Sequence, residues 1–210
     1  LFEAFSGVTS TGFSIFGNIK YLDPTLILWR SSSQWIGGFY FLIFIIVLFS
    51  NKQFNYKFNY LTYSGDGITY NENNIKENVI KIFLVYSTLT ILILIFLNIS
   101  EIRLFNALNL SMTLISTGGF LPTNSLNQII RTNAQEFVLI LSFLISMFNI
   151  FLFFNLFNKR LIINDHQEDF ILILLFVFFT LVLLLIAKDL SLSEGIIGVL
   201  SSLSNSGIYN

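Results

Sequence analysis

Apolar and polar positions run along this chain in long blocks. The apolar runs Leu26–Phe49, Val79–Asn98, Phe137–Phe157 and Phe170–Ala187 each come near the roughly 20 residues that a helix needs to cross a hydrocarbon core. Three shorter stretches, Leu1–Val8, Leu104–Ile115 and Leu190–Leu203, mix apolar residues with Ser, Thr, Asn and Gly. They predict helices of about half that span, since twelve residues rise only about 18 Å. Pro24 predicts the start of the first long helix. Within that helix Gly37-Gly38 predicts a small-residue face against a neighbouring short helix. Trp29, Arg30 and Trp35 near its start predict interfacial rings and a snorkelling guanidinium.

Each short stretch ends in a hydroxyl residue followed by glycine: Ser10-Thr11-Gly12, Ser116-Thr117-Gly118 (followed by Gly119-Phe120) and Asn205-Ser206-Gly207. Glycine lets the backbone leave the helix and turn its carbonyls outward. Within a bilayer, non-helical backbone is tolerated only where it lines protein or water. Rings of such carbonyls replace the hydration shell of potassium in its channels. One copy alone predicts no more than a turn or a packing site. Three copies at corresponding places predict a cation-conducting membrane protein. A secondary transporter with discontinuous helices, binding another cation or solute at broken helix ends, is the alternative.

Composition agrees with a membrane setting. The chain of 210 residues is 54% hydrophobic and 11% charged, with a mean hydropathy of +0.76, against about 25% charged residues in a soluble domain. A formal net charge of −1 offers no basic surface for nucleic acid, and without cysteine there is neither a disulfide framework nor a thiolate metal site. The segment 51–78 is the longest polar one, with Phe54, Tyr56, Phe58 and Tyr60 alternating with polar residues. It reads as interfacial or strand-like backbone, or as a docking surface.

The order of elements places all three glycine loops on one side of the membrane, with Lys20, Arg30, Arg103, Arg131 and Lys188. The other side receives Lys52, Lys57, Lys76, Lys81, Lys159 and Arg160, a slight positive-inside bias toward cytoplasmic inter-span loops. Glu3, Glu101, Arg103, Asp189 and Glu194 predict solvated helix starts. His166, with Asp165, Glu168 and Asp169, predicts a helix start capped by Asn164 or Asp165. No catalytic constellation accompanies it, so the chain is not expected to be an enzyme. With Leu1 in first place and a glycine loop preceded by no long helix, the chain is expected to be an excerpt or a truncated product.

The runs Phe2-Glu3-Ala4-Phe5-Ser6-Gly7 with Thr9-Ser10-Thr11-Gly12, Leu28-Trp29-Arg30-Ser31 with Gln34-Trp35-Ile36-Gly37-Gly38, and Phe105-Asn106-Ala107 with Ser116-Thr117-Gly118-Gly119-Phe120 resemble the Trk/Ktr/HKT superfamily of potassium transporters, especially the bacterial TrkH type. The likeness extends over nearly the whole chain. It implies an all-α membrane protein of repeated helix–pore loop–helix units, here with about four full transmembrane helices and three re-entrant half-helices.

On that plan residues 1–50 are the end of a first repeat and 51–78 a cytoplasmic linker. Residues 79–157 are the second repeat, 158–168 a cytoplasmic loop and 169–210 the start of a third repeat. The fourth repeat lies outside the chain. The resemblance further implies potassium (K+) uptake across the inner membrane, with K+ held by backbone carbonyls at Thr11, Gly12, Thr117, Gly118, Ser206 and Gly207. Ser10, Ser116 and Asn205 flank them. Glycine rather than serine at position 12 implies potassium rather than sodium. No organic cofactor is implied. The implied partners are membrane lipid, a second copy of the chain and a cytoplasmic nucleotide-binding regulatory subunit.

Overall fold

The computed structural model describes residues 1–50, 75–157, 167–187 and 191–208, and these are helical, with no strand among them. The helices are α1 (Phe2–Val8), α2 (Pro24–Ser50), α3 (Ile75–Ile99), α4 (Leu104–Ile115), α5 (Asn133–Met147), α6 (Ile150–Phe157), α7 (Gln167–Ile186) and α8 (Leu192–Leu203). Pro24 opens α2 as its ring geometry favours, and α4 occupies the predicted Leu104–Ile115. Two helices among the described residues, Lys76–Ile99 and Asp169–Ile186, are long and apolar enough to cross a membrane.

The core gathers around α3. Its residues Ile82, Tyr86, Leu89, Ile93 and Leu97 recur at helical spacing and are buried. They belong to one cluster with Ala107, Leu110 and Leu114 of α4 and Leu139 and Phe143 of α5. Helix α2 lies between α1 and α4, and α8 lies between α5 and α7. The opposite face of α3 (Ile80, Leu84, Ile91, Ile95) and most of α7 (Phe170, Leu174, Val177, Phe178, Leu181, Leu185) are apolar and exposed.

Three expectations are corrected. The apolar run at Phe137–Phe157 is not one span. It starts earlier, at Asn133, and breaks after Met147, where Phe148 turns extended (φ −73, ψ 147). Asn149 then opens α6, its side-chain oxygen accepting the N–H of Phe151 at 3.1 Å in the manner of an N-cap. Its own N–H reaches the carboxylate of buried Asp169 at the start of α7. Arg30 does not snorkel: it is 1% exposed and inside the protein. Glu3 is no solvated helix start either, being buried against Arg30.

Glu194 does start a helix in solvent, as half of a capping box with Ser191. Residues 51–74 and 158–166, which hold most of the two polar loops with Asn164, Asp165 and His166, lie outside the described residues, as do Lys188 and Asp189.

Candidate functional site

The three short helices α1, α4 and α8 end in the same backbone turn. After α1, Ser10 N–H donates to Gly7 O at 2.9 Å and Thr11 N–H to Ser6 O at 3.0 Å. After α4, Thr117 N–H donates to Leu114 O at 3.1 Å and Gly118 N–H to Thr113 O at 3.0 Å. After α8, Asn205 N–H donates to Ser202 O and Ser206 N–H to Ser201 O, both at 3.1 Å. This paired closure is a Schellman motif, which needs a left-handed residue just past the helix. Ser10, Thr117 and Asn205 fill that place with φ of 52, 53 and 58. Asn tolerates this region better than other side chains, and a β-branched Thr there is an outlier. The conformation costs a non-glycine residue roughly 1–2 kcal/mol, and such strain gathers at functional sites.

Two residues further on the chain turns left-handed again, at Gly12 (φ 77), Gly119 (φ 81) and Gly207 (φ 63). The structure therefore moves the register of the second turn by one residue. Gly119, not Gly118, stands where Gly12 and Gly207 stand. Gly118 matches Thr11 and Ser206, and Thr117 matches Ser10 and Asn205. Ser116 is the helix C-cap, its hydroxyl returned to Met112 O and Thr113 O. Thr9 and Ser204 cap α1 and α8 in the same way.

The turns meet one another. A Cβ on Gly12 would lie 2.5 Å from Gly118 O, and a Cβ on Gly119 would strike Ser206 O. In each case the glycine of one turn faces the carbonyl just ahead of the glycine in the next. Around Gly207 nothing among the described residues comes within 4 Å of that position. The three turns thus form a head-to-tail arc with the second in the middle.

Hydroxyls one turn back in the helices tie the loops down. Ser6 Oγ donates to Phe13 O at 2.6 Å, and Thr113 Oγ1 donates to Phe120 O at 2.9 Å. Glu3 adds to the first tie: its Oε1 accepts from Ser14 Oγ at 2.7 Å and Ile15 N–H at 2.8 Å, while Oε2 receives Arg30 Nε at 2.9 Å. The Arg30 guanidinium also lies over the Phe120 ring, 4.1 Å from its centroid, so one buried cation touches the exits of both turns. Farther out, Asn124 Oδ1 accepts the N–H of Ile19, and Asn124 Nδ2 donates to Asn18 Oδ1.

Helix α2 explains why its polar run is spaced as it is. Gly37 touches the backbone of Val8, Gly7 touches Ser33, and Gly38 lies against Ser116 and Tyr86. Trp35 donates to Thr90 Oγ1 at 3.0 Å and packs on Tyr86 and Phe83. The predicted small-residue face of α2 thus meets the ends of two short helices. Among the described residues no group of three or more His, Cys, Asp or Glu side chains is placed to hold a metal ion.

Comparison of the whole chain gives a match to the crystal structure of the potassium transporter TrkH from Vibrio parahaemolyticus, with a TM-score of 0.70 and 22% identity. The match covers 99% of this chain and 44% of that one. The chain has the fold of the matching part of TrkH. At the sequence level it is 24% identical over 170 residues to the Trk system potassium uptake protein TrkH of Halomonas elongata, covering 80% of this chain and 35% of the relative. It is 30% identical over 128 residues to an uncharacterized cation transporter of Methanocaldococcus jannaschii, covering 59% of this chain and 26% of the relative. No protein-family model matches the sequence. The chain spans less than half the length of the TrkH proteins it resembles.

Sequence reasoning found the three turns but missed what holds them. Glu3, Arg30, Gln34 and Thr113 are all buried against the turns or their exits. The available signal was in α2, where Arg30 and Gln34 lie one turn apart at the two ends of the polar run Arg30-Ser31-Ser32-Ser33-Gln34 in a largely apolar helix. An ionisable residue at membrane depth points to function by default.

Proposed function

We propose that this chain is part of a potassium-uptake protein of the TrkH type, a multi-pass protein of the inner membrane and not an enzyme. The observation that carries this reading is the contact of Gly12 with Gly118 O and of Gly119 with Ser206 O, which brings three turns of one conformation together. In this reading α1, α4 and α8 are re-entrant half-helices. Their turns form three of four walls of a selectivity filter, and backbone oxygens of residues 10–12, 117–119 and 205–207 replace water around the ion. Ser116 and Thr117, named by sequence, then serve as helix cap and first turn residue. The names of the relatives support potassium as the ion.

A membrane setting is supported by α7, whose apolar window is only 6% buried. A soluble protein rarely leaves so large an apolar surface uncovered. In this reading the repeats expected at 1–50, 79–157 and 169–210 are α1–α2, α3–α4–α5/α6 and α7–α8. Assembly as a homodimer with a cytoplasmic nucleotide-binding subunit belongs to the same reading. A transporter with dispersed half-sites does not require the turns to touch, and here they do.

The test is ion flux. The full-length protein, expressed in cells lacking their own potassium uptake, is expected to restore growth at low potassium and to take up rubidium or potassium in preference to sodium. Flux of some other solute with no potassium uptake would sink the reading.

A further inference from the structure

The second turn is the only one of the three that carries two glycines, and the reason lies in α2. A Cβ on Gly118 would collide with the side-chain amide of Gln34. That amide fills the space which a Thr11-like or Ser206-like side chain would take. It is 0% exposed and makes two bonds: Nε2–H donates to Gly118 O, and Oε1 accepts the N–H of Phe120 at 3.2 Å. A carboxamide can do both at once because it carries a donor and an acceptor side by side. Among the described residues, neither of the other two turns has such an amide bonded to its backbone.

We propose that Gln34 is a positioning residue for ion selectivity, a clamp that sets the direction of the Gly118 carbonyl and the height of the second turn. This inference rests on the potassium-uptake reading above. The Gly118 oxygen is also the atom that faces Gly12, so an error at Gln34 passes directly to the contact between first and second turns. A carbonyl has two acceptor lobes; occupying one with a fixed amide orients the other.

The experiment measures potassium, rubidium and sodium flux by the full-length protein and its variants. Gln34→Leu keeps the bulk and loses both bonds. Gln34→Glu keeps the acceptor toward Phe120 and sets an oxygen against the Gly118 carbonyl. Gln34→Glu is expected to lower the potassium-to-sodium ratio of the flux by about tenfold, the scale of one lost buried hydrogen bond, and Gln34→Leu by at least as much. Gly118→Ser, which makes a hydroxyl-glycine pair with Gly119, is expected to be worse alone than together with Gln34→Ala, which opens the space for the new side chain.

A merely structural Gln34 would reduce the amount of protein and leave the ion ratio of the remaining flux at the wild-type value, and that result overturns the clamp. Should neither Gln34 variant carry flux, thermal stability of Gly118→Ser, Gln34→Ala and their double variant decides, and strictly additive losses overturn it. A wild-type protein without potassium-selective flux would instead sink the functional reading, a distinguishable outcome.

Discussion

Gly12 faces the carbonyl oxygen of Gly118 so closely that a methyl group on it would stand 2.5 Å away. The glycine is also left-handed, with φ 77. Any side chain at Gly12 therefore meets two separate penalties, a collision with backbone and a conformation costing roughly 1–2 kcal/mol. Gly12→Ser is expected to widen the contact between the first two turns and reduce potassium-over-sodium discrimination about tenfold or more, because 1.4 kcal/mol corresponds to a factor of ten. Competition of sodium with rubidium uptake measures it. Unchanged selectivity would mean that Gly12 is not part of the filter backbone.

The Glu3–Arg30 pair is buried on both sides, at 8% and 1% side-chain exposure. Removing one member of such a pair leaves the other charge uncompensated and costs roughly 3–5 kcal/mol. Glu3→Gln is expected to lower the melting temperature of the detergent-solubilised protein markedly. Glu3→Gln with Arg30→Met should lose less than Glu3→Gln alone, since the stranded cation is gone. A double variant less stable than Glu3→Gln would show that the guanidinium acts mainly through its packing on Phe120.

These residues show where the sequence was legible and where it was not. Helix α4 and the start of α2 fall where predicted, because apolar blocks and a proline act locally. The recurrence of the turn was legible too, as Ser or Thr followed by Gly. Its register was not: Thr117-Gly118-Gly119 offers two glycines, and only the φ of 81 at Gly119 and 53 at Thr117 selects between alignments. Arg30 read as an interfacial residue because its partner Glu3 is 27 positions away and unlike a counter-ion in local context. The break at Phe148-Asn149 sits inside an apolar run, and nothing in residue type alone distinguishes a cap from a tolerated Asn.

Two helical glycines should behave oppositely when given a methyl group. A Cβ on Gly37 would strike the backbone of Val8, whereas one on Gly198 meets nothing within 4 Å among the described residues. Alanine is the better helix former by roughly 0.5–1 kcal/mol. Gly198→Ala is expected to leave thermal stability unchanged or slightly raised. Gly37→Ala must push α1 away from α2, and overpacking of this kind costs about 1–3 kcal/mol. Since α1 delivers the first turn, Gly37→Ala should also impair flux. Equal effects of the two substitutions would contradict the packing of α1 on α2.

Thr113 tests whether the hydroxyl ties matter to the turns themselves. Its Oγ1 lies 2.9 Å from both Asn109 O and Phe120 O; a hydroxyl has one proton to donate, so the second oxygen is held by a shared bond. Thr113→Val is close in shape and leaves Phe120 O without this donor, at a cost of about 1–3 kcal/mol for a buried unsatisfied acceptor. Thr113→Ser keeps the hydroxyl and loses only a methyl group. The Val variant is expected to lose both thermal stability and ion discrimination, while the Ser variant, which reproduces Ser6 at the matching place in α1, stays near wild type in discrimination. If instead the Val variant keeps discrimination and the Ser variant loses it, it is the methyl packing of Thr113 in α4, and not its bond to Phe120, that fixes the second turn.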